Sequence, residues 1–211
     1  MPKGFLRGSL EVIAGPMFAG KTSALLARAR TLDGEVMLIK PSFDTRYGIC
    51  EIKTHDGISA NAFNLTNTSE ILNSKNVDAA DYILFDEIQF FKAPNFEGDI
   101  IACIETLRDR HINVVCCGLD LNWKGVPFDI VADLRKLADK YTPLLARCAV
   151  CNAPAPYSHK RRANNVDIEL GAEDLYEPRC PKHYPYCGEY EKAAENANAE
   201  REIGFQGDLF N

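Results

Sequence analysis

Gly15, Gly20, Lys21 and Thr22 stand in the spacing G-x-x-x-x-G-K-[ST] within AGPMFAGKTSALL. That spacing suits the phosphates of a nucleotide. Glycines let backbone N–H groups turn inward around an anion, a lysine carries positive charge to the β and γ phosphates, and a threonine hydroxyl ligates Mg²⁺. A helix starting at Gly20 would point its positive end at the same anion. Ser23, the next residue, completes the candidate set for ATP and Mg²⁺. A strand before the loop and a helix after it separate this reading from an ordinary glycine turn.

A phosphate loop works with an acid on a neighbouring strand that holds Mg²⁺ through water. YILFDE closes on two acids, Asp86 and then Glu87. Side chains alternate along a strand, so the two acids cannot both face the core. One can serve the metal side while the other faces a substrate pocket and takes the proton of an attacking hydroxyl. Gln89, Phe90 and Phe91 follow shortly after. Aromatics beside a catalytic acid suit a flat substrate ring, although alone they are more often core.

A third constellation is Cys148-x-x-Cys151 with Cys180-x-x-His183. Each pair can form a tight knuckle, and four protein ligands leave no open position, so the implied zinc is structural. Cys187 and, more weakly, His159 compete for the fourth position; the x-x spacing favours His183. Cys103, Cys116 and Cys117 lie in apolar periodic segments, where a free thiol behaves as a small hydrophobe. The pattern suits a reducing compartment and zinc rather than disulfides. Residues 152–179 then form a loop stapled at its base by metal.

These groups need a scaffold. Apolar strand patterns fall at 9–15, 35–40, 81–87 and 112–120, with further short strands near 49–53 and 141–148. Helical patterns fall at 21–32, 68–75, 97–111 and 129–140. Leu25, Leu26 and Ala29 share one face of the first, and Ile100, Ile104 and Leu107 one face of the third. Thr68 and Ser69 are cap candidates for the second. Apolar strands alternating with helices predict an α/β fold, a P-loop parallel sheet with helices on both faces. Past Cys148 large apolar runs stop, and the boundary falls near residue 143. The expected division is a nucleotide-binding domain over 1–143, a zinc-stapled substrate-binding subdomain over 144–190, and a polar tail over 191–211.

Composition narrows the function classes. Apolar residues at 46 % and charged residues at 26 % support an ordinary core. The net charge of −6 speaks against a general nucleic-acid binder. No apolar run nears the roughly 18 residues of a membrane span, and no signal segment is evident, which predicts a cytoplasmic protein.

In order along the chain, GPMFAGKT, KPSFDTRYG, THDG, DEIQFF, GLDLNWKGVPF, YSHKR and CPKH together resemble the type II thymidine kinase family. The resemblance covers roughly residues 9 to 187. It implies ATP-dependent phosphorylation of the 5′-hydroxyl of thymidine, with deoxyuridine also accepted, in deoxynucleotide salvage. It places the catalytic base on Glu87, a loop arginine that contacts the transferring phosphoryl on Arg46, and the hydrated Mg²⁺ on Asp86, with Lys21 assisting. The thymine pocket falls on Met17, Phe90, Leu119, Trp123, Phe128, Ser158 and Tyr176. Backbone of the zinc-stapled lasso loop near 166–171, including Gly171, would hold the base. The resemblance also implies a homotetramer and feedback by dTTP. Trp123 stands where phenylalanine is common in the family and Ser158 where threonine is common, and VDIELGAEDLY matches the family loop more loosely.

Two rival readings remain at this level. One is another P-loop kinase acting on a different nucleoside. The other is an ATP-driven nucleic-acid-binding protein, for which HKRR at 159–162 is the supporting feature; a basic run of four is usually a solvated loop.

Overall fold

The computed structural model describes residues 7–41, 51–53, 59–161 and 175–186. Its centre is a six-stranded sheet. The strands are β1 (Leu10–Ala14), β2 (Val36–Pro41), β5 (Phe63–Leu65), β6 (Tyr82–Phe85), β7 (Asn113–Gly118) and β8 (Lys140–Pro143). A small hairpin, β3 (Glu51–Lys53) with β4 (Ser59–Asn61), lies between β2 and β5 in the chain. The sheet order is β5-β2-β6-β7-β1-β8, and every pairing in it is parallel. All six strands therefore end at the same edge, where ligands bind in open α/β sheets.

The helices are α1 (Lys21–Ala29), α2 (Thr68–Leu72), α3 (Lys75–Asp78), α4 (Ile100–Asp109) and α5 (Asp129–Leu137). Strand alternation sorts the core into two layers. Val12, Ile83, Phe85, Val114 and Cys116 face a layer with Ile71, Val77, Ile104, Leu107 and Leu134, from α2, α3, α4 and α5. Ile13, Leu84, Val115 and Cys117 face the other, with Leu25 and Leu26 of α1. Helices thus cover both faces, as the strand–helix alternation predicts. Glu11, on β1, bonds Arg28 of α1 at 2.9 Å and Lys140 of β8 at 2.6 Å, which fixes α1 over the sheet.

The helix expected over 68–75 ends at Leu72, and a second short helix, α3, begins at Lys75 and runs beyond that segment. The cap of α2 is Asn67, whose side chain accepts the Glu70 N–H at 2.8 Å, while the Glu70 carboxylate accepts the Thr66 N–H at 2.7 Å. Ser74 then caps α3, and a hydroxyl that accepts backbone N–H groups favours a new helix start over continuation. The 97–111 pattern starts later than its apolar period suggests, because Asp99 is the cap: it accepts from Ile101 N at 2.9 Å and Ala102 N at 3.1 Å. Asp99→Ala should cost about 1 kcal/mol, lowering a thermal melt by roughly 2–4 °C. An unchanged melting temperature would remove Asp99 as the cap.

Beyond β8 the described chain forms short antiparallel pairs: β9 (Ala146–Arg147) with β10 (Pro154–Ala155), and β11 (Tyr157–Lys160) with β12 (Tyr176–Arg179). Among the described residues no helix is long and apolar enough to cross a membrane.

Candidate active site

The loop from β1 to α1 lies at the C-terminal edge of the sheet. Gly20 sits at φ 73, a left-handed conformation that glycine adopts without a Cβ penalty. The helix it opens has no side-chain cap and no acid in its first turn, so its first N–H groups are available to an anion. Lys21 is buried and its ammonium donates to the Pro16 carbonyl at 2.8 Å, which holds the charge within the loop. Ser23 is half-buried in the same turn.

Thr22 faces Asp86 across the strand ends. Its hydroxyl lies 3.2 and 3.3 Å from the two carboxylate oxygens. The Cys117 thiol donates to Asp86 Oδ1 at 2.8 Å, and the Glu87 N–H reaches the same oxygen at 3.1 Å. Burial and then the neighbouring Glu87 charge push the Asp86 carboxyl up to about 6, against the hydrogen bonds from Cys117 and Thr22 and the charge of Lys21. Burial also raises the Cys117 thiol far above its ordinary value. A hydroxyl and a carboxylate at a phosphate loop are hard oxygen donors of the kind Mg²⁺ takes beside substrate phosphates, so this pair fits that cation.

Glu87 departs from Asp86 by a mechanism that strand alternation does not supply. β6 ends at Phe85, and Glu87 itself adopts φ 52, ψ 44 ahead of a short 3₁₀ turn over Ile88–Phe90. This left-handed residue, rather than the pleat, separates the two acids. A non-glycine residue there is uncommon and marks a held conformation. Gln89, wholly buried, donates to Glu87 Oε2 at 2.5 Å and accepts the Leu119 N–H at 3.0 Å.

The other expected pocket residues are partly gathered. The Met17 N–H donates to Ser158 Oγ at 2.9 Å, joining the phosphate loop to β11. Trp123, Phe90 and Tyr176 are buried, and Leu119 is half-buried. The Lys160 ammonium lies 5.8 Å from the Trp123 ring and 5.8 Å from the Tyr176 ring, so those two rings flank one cation. Phe128 precedes α5 and packs in the main core. Arg46, the 166–171 loop with Gly171, and Cys187 lie outside the described residues.

Cys148, Cys151, Cys180 and His183 come together, with ligand atoms all within 4.8 Å of one another. Cys151 Sγ lies 3.7 Å from Cys180 Sγ; His183 Nδ1 lies 3.3 Å from Cys180 Sγ and 3.8 Å from Cys148 Sγ. A tetrahedral zinc with bonds of about 2.3 Å to sulfur and about 2.0–2.1 Å to nitrogen has edges of about 3.8 and 3.6 Å. The sulfur–sulfur distance is far beyond the roughly 2.05 Å of a disulfide. Desolvation opposes ionisation of Cys148, but backbone N–H groups of Cys180, Val150 and Cys151 outweigh it and bring the thiol to about 5. The donor set fits zinc. His159 instead lies in β11, opposite Glu177.

Several contacts escaped the sequence reading. Phe18, at φ 64, packs with Ala19 against Ala146, Cys148, Ala155 and Cys180, so the phosphate loop rests on the knuckle. Tyr184, next to the ligand His183, donates to the Trp123 carbonyl at 2.8 Å and stacks on Tyr157 at 4.1 Å. Gln89 carried one usable signal: an amide within an apolar run must find partners when buried.

Comparison with known proteins supplies the family. A family model described as "Thymidine kinase" matches residues 8–184. Thymidine kinases of Mesomycoplasma hyopneumoniae strains 7448, J and 232 are each 35 % identical over 183 residues, covering 85 % of this chain and 97 % of the relative. Among solved structures, the flagellar accessory protein FlaH from Methanocaldococcus jannaschii aligns with a TM-score of 0.43 at 14 % identity, over 84 % of this chain and 92 % of that one. With the family match running from before the phosphate loop to just past the metal-ligand cluster, the chain belongs to the thymidine kinase family.

Proposed function

We propose that the chain transfers the γ-phosphoryl group of ATP to the 5′-hydroxyl of thymidine, giving dTMP and ADP, and accepts deoxyuridine as well. The observation that carries this reading is the pairing of Thr22 with Asp86 at the phosphate loop, beside a differently held Glu87. Phosphoryl transfer asks for positioning and charge stabilisation more than covalent chemistry. Gly15, Gly20, Lys21, Thr22 and Ser23 bind the donor phosphates. Asp86 orients the hydrated cation. Glu87 accepts the proton as the 5′-oxygen attacks the γ-phosphorus, and Lys21 with Arg46 offsets the developing charge. Thr22 and Asp86 would hold Mg²⁺, which when bound would supply charge neutralisation at the donor phosphates.

Met17, Phe90, Leu119, Trp123, Phe128, Ser158 and Tyr176 form the thymine pocket, with Gly171 on the lasso loop. The structural zinc would hold that loop's base. The division at 143 and the tail from 191 belong to the same reading, as do a cytoplasmic homotetramer, a salvage role and feedback by dTTP. Incubation with ATP, Mg²⁺ and thymidine, deoxyuridine or deoxycytidine should yield monophosphate from the first two. Product from deoxycytidine alone, or ATP hydrolysis stimulated by nucleic acid without nucleoside, would replace this reading with one of its rivals.

A further inference from the structure

Gln89 has no exposed surface, and its amide is bonded at both ends, to two parts of the site. Nε2 donates to Glu87 Oε2 at 2.5 Å, and Oε1 accepts the Leu119 N–H at 3.0 Å. The two partners fix the amide's orientation: a flip would set carbonyl against carboxylate and NH₂ against N–H. The chain makes room for it at Gly118, where a Cβ would lie 2.4 Å from Gln89 Oε1 and 2.9 Å from Ile88 Cγ2. The left-handed Glu87, the 3₁₀ turn and the end of β7 thus converge on one side chain.

We infer that Gln89 is a positioning residue, which holds the Glu87 carboxylate in its reactive orientation and ties it to the pocket wall at Leu119. The inference rests on the reading of Glu87 as the base. A donor hydrogen bond to one carboxylate oxygen restricts the rotation of the carboxylate, and the donor cannot follow a wandering carboxylate because Leu119 anchors its other end. Misplacement of a reacting group by about 1 Å can cost ~10²-fold in rate.

The test is a double-mutant cycle on the full chain, read as kcat and as KM for ATP and thymidine. Gln89→Leu should lower kcat by about 10- to 100-fold and leave KM for ATP within about twofold, since the phosphate loop is untouched. In a Glu87→Gln background the same change should cost less than about twofold, because no carboxylate remains to orient. Gln89→Glu keeps the shape and the acceptor for Leu119 but opposes carboxylate to carboxylate. It should lose as much as Gln89→Leu, and it carries the same cycle if the leucine variant does not fold. Equal losses in both Glu87 backgrounds, or wild-type turnover in Gln89→Glu, would overturn the inference alone. Near-normal turnover in Glu87→Gln would overturn the base itself, and the inference with it.

Discussion

Glu87→Gln should cut turnover by at least ~10²-fold, the scale of a general base, while ATP affinity stays within about twofold. The substitution preserves size, and its amide oxygen can still accept from Gln89, so the φ 52 turn has no reason to change. What it removes is the capacity to take a proton from the 5′-hydroxyl. The choice of Glu87 over Asp86 follows from their surroundings. Asp86 is 7 % exposed and meets Thr22, Cys117 and the Glu87 N–H, which suits a carboxylate committed to orienting a cation. Glu87 is half-buried and lies past the strand end, with its carboxylate bonded to the Gln89 amide. Product formation by chromatography gives kcat, and calorimetric titration with ATP gives the affinity. A variant that turns over near the normal rate would sink the assignment, whereas one that lost ATP binding would show that Glu87 supports the phosphate loop instead.

What the sequence disclosed was whatever local spacing carries. Gly20, Lys21 and Thr22 are contiguous, so their loop was legible at once. The apolar runs of β6 and β7 were likewise legible as strands, because strands buried on both faces read as near-continuous apolar runs. The C-x-x-C and C-x-x-H pairs were legible for the same reason, each knuckle being local even though the pairs are distant. Asp86 and Glu87 were legible as a pair, but their separation was attributed to strand alternation. A strand that stops at Phe85 and a left-handed residue at Glu87 depend on the turn that follows, which propensity does not fix. The break at Ser74 was hidden by a polar stretch compatible with either one helix or two. Phe18, Gln89 and Tyr184 have their partners far away in sequence. Phe18 packs against the cluster of Ala146, Cys148, Ala155 and Cys180, Gln89 reaches Leu119, and Tyr184 reaches Trp123. No periodicity announces such contacts; they appear only when the sheet order brings the ends of β1, β6 and β7 to one edge.

Cys180→Ala should release the metal and weaken both halves of the site together. The native protein should carry zinc by elemental analysis, and this variant should carry none after dialysis, because three donors do not close a tetrahedral structural site. Metal binding of this kind is coupled to folding free energy. A loss of about 3 kcal/mol would lower the melting temperature by roughly 6–12 °C for a chain of this size. Thymidine affinity should fall because the knuckle anchors Tyr184, whose hydroxyl holds the Trp123 carbonyl, and the β11–β12 pair that carries Ser158 and Tyr176. ATP affinity should fall too, since Phe18 and Ala19 of the phosphate loop pack against the buried cluster that contains Cys148 and Cys180. The second effect separates two views of the knuckle. If it serves only the base-binding loop, calorimetry will show thymidine binding weakened with ATP binding unchanged. If the phosphate loop leans on it through Phe18, both affinities drop, and Phe18→Ala reproduces the loss for ATP with the metal retained. Metal content and melting temperature equal to the parent's would overturn the four-ligand site.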